Sequence, residues 1–188
     1  MFTKSEWKLN LVGCMEILLF MPIGVDRFSS SRSAAVRSFI VPILLLPVLL
    51  SVMVAMSDGF PLSILLSLHM IRIVLAAVMF FSVVYFLSKQ FERQQHFYKF
   101  VNVVNWSNIP GVLMTLPILA ALVMGYDITA LESYAVFITI VGYIYSAFIL
   151  THCFRFPWEM GGFIAIVGLA IDQNLLDVTV YIRDLLVA

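Results

Sequence analysis

Residues 97–111, with the sequence FYKFVNVVNWSNIPG, contain the most unusual combination of side chains in this chain. Asn102 and Asn105 lie about one helical turn apart, and a tryptophan, a proline and a glycine follow them at the start of a long apolar segment. In a soluble protein such a stretch is an ordinary turn. In a segment that enters a membrane, each amide without a hydrogen-bond partner is costly, so the rest of the chain is expected to supply partners for these side chains.

The composition places the chain in a membrane. Of its 188 residues, 62% are hydrophobic and 12% are charged, whereas a soluble domain has about 25% charged residues. The net charge of 0 gives no indication of nucleic acid or of an acidic substrate as a partner. Cys14 and Cys153 are expected to be reduced, buried thiols rather than a disulfide or a metal pair.

Residues 1–33 are predicted to form an N-terminal helix and a polar linker. The apolar run from Leu9 to Phe20 is too short to cross a membrane, which takes about 20 apolar residues. We interpret it as a helix that lies at the membrane interface, with Trp7 as an anchor. A cleaved signal peptide is the alternative, and Glu16 inside the apolar run argues against it.

Five apolar runs follow, each long enough to cross the membrane as a helix, at about 36–57, 62–87, 100–124, 133–154 and 161–182. They are too long and too unbroken for the strands of a barrel. The predicted fold class is therefore all-α: a single membrane domain in which five transmembrane helices form a bundle, preceded by the N-terminal interfacial helix.

The lysines and arginines predict the orientation. Nine of the eleven lie before or at the very start of the first span, or in the connections that join the second span to the third and the fourth to the fifth. The other two connections, 58–61 and 125–132, contain none. Because basic residues favour cytoplasmic segments, the N-terminus is predicted to be cytoplasmic and the C-terminus to be outside.

Arg72 lies near the centre of the second span, where a lone charge costs roughly 2.5–3.5 kcal/mol. His69 shares its helix face. In the fifth span Asp172 ends a stripe of small residues at helical spacing, which comprises Gly161, Ala165 and Gly168. At 1.5 Å per residue, both charges lie roughly 15 Å from a membrane surface, so the second and fifth spans are expected to pack together and the charges to pair.

Three roles for this pair stay open: a buried ion pair that fixes helix packing, a proton or ion relay through His69, Arg72, Asp172 and Asp177, or a lipid head group held by Arg72. Asn102 and Asn105 have two interpretations. They satisfy the end of a helix at the interface, or Asn105 lines a small polar cavity together with the carbonyl group that Pro110 leaves free.

No hydrolase, metalloprotease or phosphate-binding motif occurs in the sequence, so we expect neither an enzyme nor a cofactor or metal. From the residues, a small transporter or ion-coupled carrier that uses the midplane charges is one functional hypothesis.

The second hypothesis comes from a resemblance. Arg37-Ser38-Phe39 with Pro42 and Pro47, residues 98–107 with their Asn-Trp-Ser, and Asp172 in the last span resemble a bacterial branch of the Yip family of five-span membrane proteins. The resemblance implies a non-enzymatic protein of the bacterial cytoplasmic membrane that organises lipids or partner proteins. Its expected partners are the lipid bilayer and a membrane protein or a second copy of the chain, without nucleic acid.

Overall fold

The chain is helical throughout the residues that the structure, a computed structural model, describes, namely 2–55 and 61–186. The α-helices in this part of the chain are α1 (Lys4–Leu18), α2 (Ile23–Asp26), α3 (Arg32–Ser38), α4 (Ile40–Ala55), α5 (Leu62–Gln90), α6 (Phe97–Val123), α7 (Glu132–Phe154) and α8 (Trp158–Leu185). Short 3-10 turns at Gln94–His96 and Ile128–Leu131 lead into α6 and α7.

Within the described residues, five helical segments are long and apolar enough to cross a membrane: Arg32–Ser51, Leu62–Gln90, Gln94–Val123, Thr129–Phe154 and Trp158–Leu185. The predicted all-α fold with five helices of this kind is therefore confirmed. The first segment begins inside the predicted linker, because Ser31 caps α3 by accepting a hydrogen bond from the Ala34 amide. The predicted end of the first span at 56–57 and the turn residues 58–60 lie outside the described residues.

The helix ends follow from local sequence. Thr3 and Glu6 form a reciprocal capping box at the start of α1. Pro157 directly precedes α8, where its missing N–H costs nothing. Arg155 ends α7 in the left-handed region, with φ of 57°. α1 coincides with the predicted N-terminal helix, and its position at a membrane surface stays a prediction.

The long helices pack in a closed sequence: α6 lies against α7, α7 against α8 and α8 against α5, while α4 lies against α6 and α5. Residues 2–38, which include α1, α2 and α3, pack on α6 and on the end of α7. We call residues 2–38 the cap. Trp7, the predicted interfacial anchor, contacts Trp106 of α6 edge to face, with 4.8 Å between ring centroids.

The core lies at the cap end of the bundle. The largest fully buried side chains are Trp106, Phe100, Phe154 and Leu150, and all four belong to helix segments near the cap. Toward the opposite end, helix surfaces are largely exposed and buried apolar residues are few in the described part of the chain. The protein is thus tightly packed at one end and open at the other.

The cap is held by close backbone contact and by ion pairs. A Cβ on Gly24 would lie 2.7 Å from the Gly13 carbonyl oxygen, so α1 and α2 approach too closely for a side chain there. Glu16 accepts two hydrogen bonds from Arg27, each 2.5 Å long, and the bond from this guanidinium lowers the pKa of the Glu16 carboxyl. Asp26 pairs with Lys99 of α6 at 2.6 Å.

The stripe of small residues on α8 faces two neighbours. A Cβ on Gly161 would lie 2.8 Å from the Ala147 carbonyl oxygen of α7, whereas one on Gly168 would lie 2.7 Å from the Phe80 ring of α5. The second and fifth spans thus pack together as expected, through Gly168, while Gly161 of the same stripe faces α7 instead.

Candidate functional site

The predicted pair of midplane charges is present. Arg72 Nη1 of α5 lies 2.7 Å from Asp172 Oδ1 of α8. Only 6% of the Arg72 side chain is exposed, but 54% of the Asp172 side chain is. The two partners are therefore unequal: the guanidinium is buried in the protein, and the carboxylate faces open space.

That open space is a cavity of about 510 Å³ that is widely open at the surface and to whose wall α5, α6, α7 and α8 each contribute. We call it the central cavity. Its polar lining residues are Asp172, Asn108, Thr139, Tyr143 and Ser146. The rest of the wall consists of small and apolar side chains. Such a combination of an apolar wall with a few polar groups is typical of ligand sites.

A second cavity of about 260 Å³, the side cavity, lies between α1, α6 and α7. It shares Phe80, Asn108, Gly142 and Ser146 with the central cavity, so the two spaces adjoin between α6 and α7. A Cβ on Gly142 would meet no atom within 4 Å. Gly142 is exposed, so a side chain at this position would enter open space at a wall that both cavities share.

The neutral polar side chains of the central cavity are bonded to backbone carbonyl groups of their own helix or of the next. The donors and acceptors are Thr139 to Ala135 (3.0 Å), Ser146 to Gly142 (2.9 Å), Tyr143 to Gly162 (3.3 Å) and Asn108 to Val104 and Asn105 (3.0 and 3.2 Å). These bonds satisfy the donors and leave the oxygen lone pairs directed elsewhere.

The predicted relay is not brought together as a chain. His69 is buried one turn before Arg72 on α5, and it does not line the central cavity. Asp177 is exposed on α8. No hydrogen bond or ion pair joins Asp177 to another described residue. The site that the structure shows is the Arg72–Asp172 pair with its cavity, and Asp177 lies apart from it.

Asn102 and Asn105 are both buried and connect α6 to the cap. Asn102 Nδ2 donates to the Ser29 carbonyl oxygen at 3.1 Å. Asn105 Nδ2 donates to Ser38 Oγ at 2.8 Å, and that hydroxyl donates to the Ala35 carbonyl oxygen. The cap thus supplies acceptors for the NH2 groups of both asparagines, whereas Asn102 Oδ1 is buried without a hydrogen-bond partner in the described structure. Neither asparagine lines the two cavities.

Sequence reasoning missed the polar residues of α7 and of the adjoining turn of α6. Thr139, Tyr143 and Ser146 recur every three or four residues within an apolar run, and this helical spacing is the signal that identifies them. Asn108 continues the spacing of the two asparagines before it. Ser107, which lines the side cavity, has a buried hydroxyl without a hydrogen-bond partner in the described structure.

Cys14 also lines the side cavity, and burial raises the pKa of its thiol to about 12. Cys14 and Cys153 are both free and buried. Among the described residues, no group of three His, Cys, Asp or Glu side chains is placed to hold a metal ion.

Compared with models of protein families, with curated proteins and with solved structures, the chain matches none of them. The resemblance to the Yip family therefore stays a prediction from the residues quoted above.

Proposed function

We propose that this chain is a non-enzymatic integral membrane protein that binds a lipid-like amphiphile, with the amphiphile's head group in the central cavity. This is the lipid-organising function that the resemblance to the Yip family implies. The observation that carries the proposal is the partly exposed Asp172 carboxylate on the wall of a cavity built by four apolar helices.

Two features of the cavities support an amphiphile. The central cavity has the volume of a small-molecule site, for which several hundred Å³ is typical. The side cavity, which adjoins it at Gly142, is lined mainly by apolar side chains such as Ile17, Met114 and Ile138. A molecule with a polar head and an apolar tail fits this arrangement, with the head near Asp172 and the tail between α6 and α7.

The orientation proposed for the protein places the cap on the cytoplasmic side of a bacterial membrane. The outer face of α1 supports this position, because it carries Lys4 and Lys8 in its first half and exposed Leu11, Met15 and Leu19 after them. Such a helix keeps its basic end in the head-group region while its apolar end is in contact with lipid tails.

The proposal is tested by filling the open space at the wall that the two cavities share. Gly142→Leu places a side chain into the space where the Gly142 Cβ would meet nothing. Ala170→Leu is the matched control, because Ala170 is exposed on the face of α8 opposite Asp172. The measurement is the amount of lipid that stays bound to the purified protein, determined by native mass spectrometry.

We expect Gly142→Leu to bind lipid roughly tenfold more weakly than the wild type, a difference of about 1.4 kcal/mol, and therefore to retain less of it. Ala170→Leu is expected to retain the wild-type amount. Equal retention by all three proteins would contradict a ligand site in the cavities.

A small carrier is the second candidate, and the position of Asp172 near the middle of α8 favours it. Faster movement of a fluorescent amphiphile between the leaflets of vesicles that contain the wild type, and not of vesicles that contain Gly142→Leu, would identify the carrier. Binding without such movement would identify the lipid-organising function.

A further inference from the structure

We infer that the head group bound in the central cavity is a hydrogen-bond donor, specifically a primary ammonium group on an apolar tail. This inference rests on the proposed function and names the ligand class. It comes from an inventory of which polar atoms in the cavity are already used.

The hydroxyl groups of the cavity have no hydrogen atom left to offer. Thr139, Ser146 and Tyr143 each bond to a backbone carbonyl oxygen. A carbonyl oxygen only accepts, so each hydroxyl must be the donor in its bond, and a hydroxyl has one hydrogen. What these three side chains present to a ligand is their oxygen lone pairs.

The same argument applies to the amide of the cavity. Asn108 Nδ2 lies within hydrogen-bond distance of two carbonyl oxygens, those of Val104 and Asn105. The two carbonyl groups require the amide nitrogen on that side, which turns the Asn108 side-chain oxygen away from them. Asn108 therefore also offers an acceptor.

Asp172 completes the set. An ionised carboxylate only accepts hydrogen bonds, and more than half of the Asp172 side chain is exposed. The donors of Arg72 are not presented in the cavity, since Arg72 is buried behind the carboxylate and is not part of the lining. Each of the five polar residues that line the cavity thus keeps acceptor lone pairs, while the hydroxyl and amide donors among them are already bonded to carbonyl groups.

A site whose polar side chains offer hydrogen-bond acceptors discriminates among head groups by the donors that each head group carries. A carboxylate or phosphate head group has only lone pairs to place against these acceptors. It would lose its hydrating water without gaining hydrogen bonds in return. A quaternary ammonium group carries the charge that suits Asp172 but has no N–H. A primary ammonium group has three N–H donors and a positive charge, and so it satisfies several acceptors at once.

The inference is tested with probes that share a tail and differ in head group. Dodecylammonium, dodecyltrimethylammonium and dodecanoate are titrated onto the full chain in nanodiscs, and empty nanodiscs are subtracted. We expect dodecylammonium to bind at least tenfold more tightly than the trimethyl probe, and dodecanoate to bind weakest. Equal affinity of the first two probes, or tightest binding of dodecanoate, would overturn the inference.

A pair of threonine variants assigns the discrimination to the cavity. Thr139→Val keeps the shape of the side chain and removes one cavity acceptor, so it is expected to weaken dodecylammonium binding about threefold to tenfold and to leave the trimethyl probe unchanged. Thr115→Val is the matched control, because Thr115 also bonds to a carbonyl of its own helix, at 2.8 Å, and lines neither cavity. Equal effects of the two variants would overturn the assignment.

The variant Gly142→Leu distinguishes a failure of this inference from a failure of the proposed function. If this variant abolishes the binding of all three probes while the wild type binds them equally, the ligand site stands and the ammonium preference is wrong. If no probe binds, or if Gly142→Leu changes no affinity, the proposed function fails together with the inference.

Discussion

The two charges of the ion pair between α5 and α8 differ in how far they are exposed. Arg72 is buried, whereas Asp172 faces the central cavity. Removing the carboxylate breaks the ion pair on the side of the buried guanidinium, and breaking a buried pair in this way costs up to about 3–5 kcal/mol. Removing the guanidinium leaves a carboxylate of which more than half is already exposed, so less of it has lost solvation and the cost is smaller.

We therefore predict that Asp172→Leu lowers the melting temperature in detergent more than Arg72→Leu does. The double change to leucine is expected to recover much of the loss, because two apolar side chains need no desolvation of charge. A full double-mutant cycle measures the coupling. Strictly additive losses would show that the two residues do not stabilise each other.

The residues of the site show how far sequence reasoning extends. The depths of Arg72 and Asp172 along their helices predict that they pair, because each depth follows from the number of residues along a regular helix. The exposure of Asp172 does not follow from depth. It depends on the distances between the four helices around the carboxylate, and no local pattern in the sequence predicts those distances.

The contacts of the cap cannot be predicted from local patterns in the sequence. Asn102 and Asn105 require partners, and the sequence shows that requirement. The partners, Ser29 and Ser38, are about 70 residues away along the chain, and Ser38 occurs in what apolar run length interprets as an ordinary membrane span. Apolar runs predict helices well, whereas long-range side-chain pairing has no comparable signal.

Glycines in two environments test the packing of the cap. In Gly24→Ala the new methyl group meets backbone atoms of α1, which cannot move aside, so the melting temperature is expected to fall by an amount equivalent to about 1–3 kcal/mol. Gly111→Ala is the control, because its Cβ meets no atom within 4 Å and alanine favours a helix. The opposite order of stabilities would contradict the close contact of α1 with α2.

The ion pair between Glu16 and Arg27 predicts how the cap responds to acid. The hydrogen bond from Arg27 holds the pKa of the Glu16 carboxyl below its ordinary value of 4.5. A carboxyl whose pKa is lowered in the folded state contributes stability at pH values above the ordinary pKa, and this contribution is lost as the pH falls through the lowered pKa. The wild-type melting temperature is thus expected to decrease in this acidic range.

Glu16→Gln removes that titration. Its melting temperature at about pH 7 is expected to lie below that of the wild type, and its decrease toward acid pH to be shallower. Glu92→Gln is the control, since Glu92 is exposed and forms no ion pair with a described residue. A wild-type acid response in Glu16→Gln would contradict a role of the pair in holding the cap.

At the scale of the whole molecule, the packed core and the central cavity occupy different levels of the bundle. The cap, the aromatic core and the buried asparagines lie together at one end of the bundle, and the central cavity lies beyond them near the middle of α5 and α8. The packed end thus holds the long helices together next to the level at which the cavity separates them. This division accounts for how a chain of 188 residues maintains an open site without a large core around it.

The orientation of the molecule gives the last prediction. The ion pair between Asp26 and Lys99 places the cap and the connection before α6 at the same end of the bundle, and the basic residues predict that this end is cytoplasmic. A reporter that is active only outside the cytoplasm is therefore expected to work when inserted within 126–131 or after Ala188, and to fail within 90–98. A reporter active only in the cytoplasm should give the inverse pattern at the same positions. Outside activity within 90–98 would reverse the orientation, and because the cap is tied to that connection, it would move the cap to the outer surface as well.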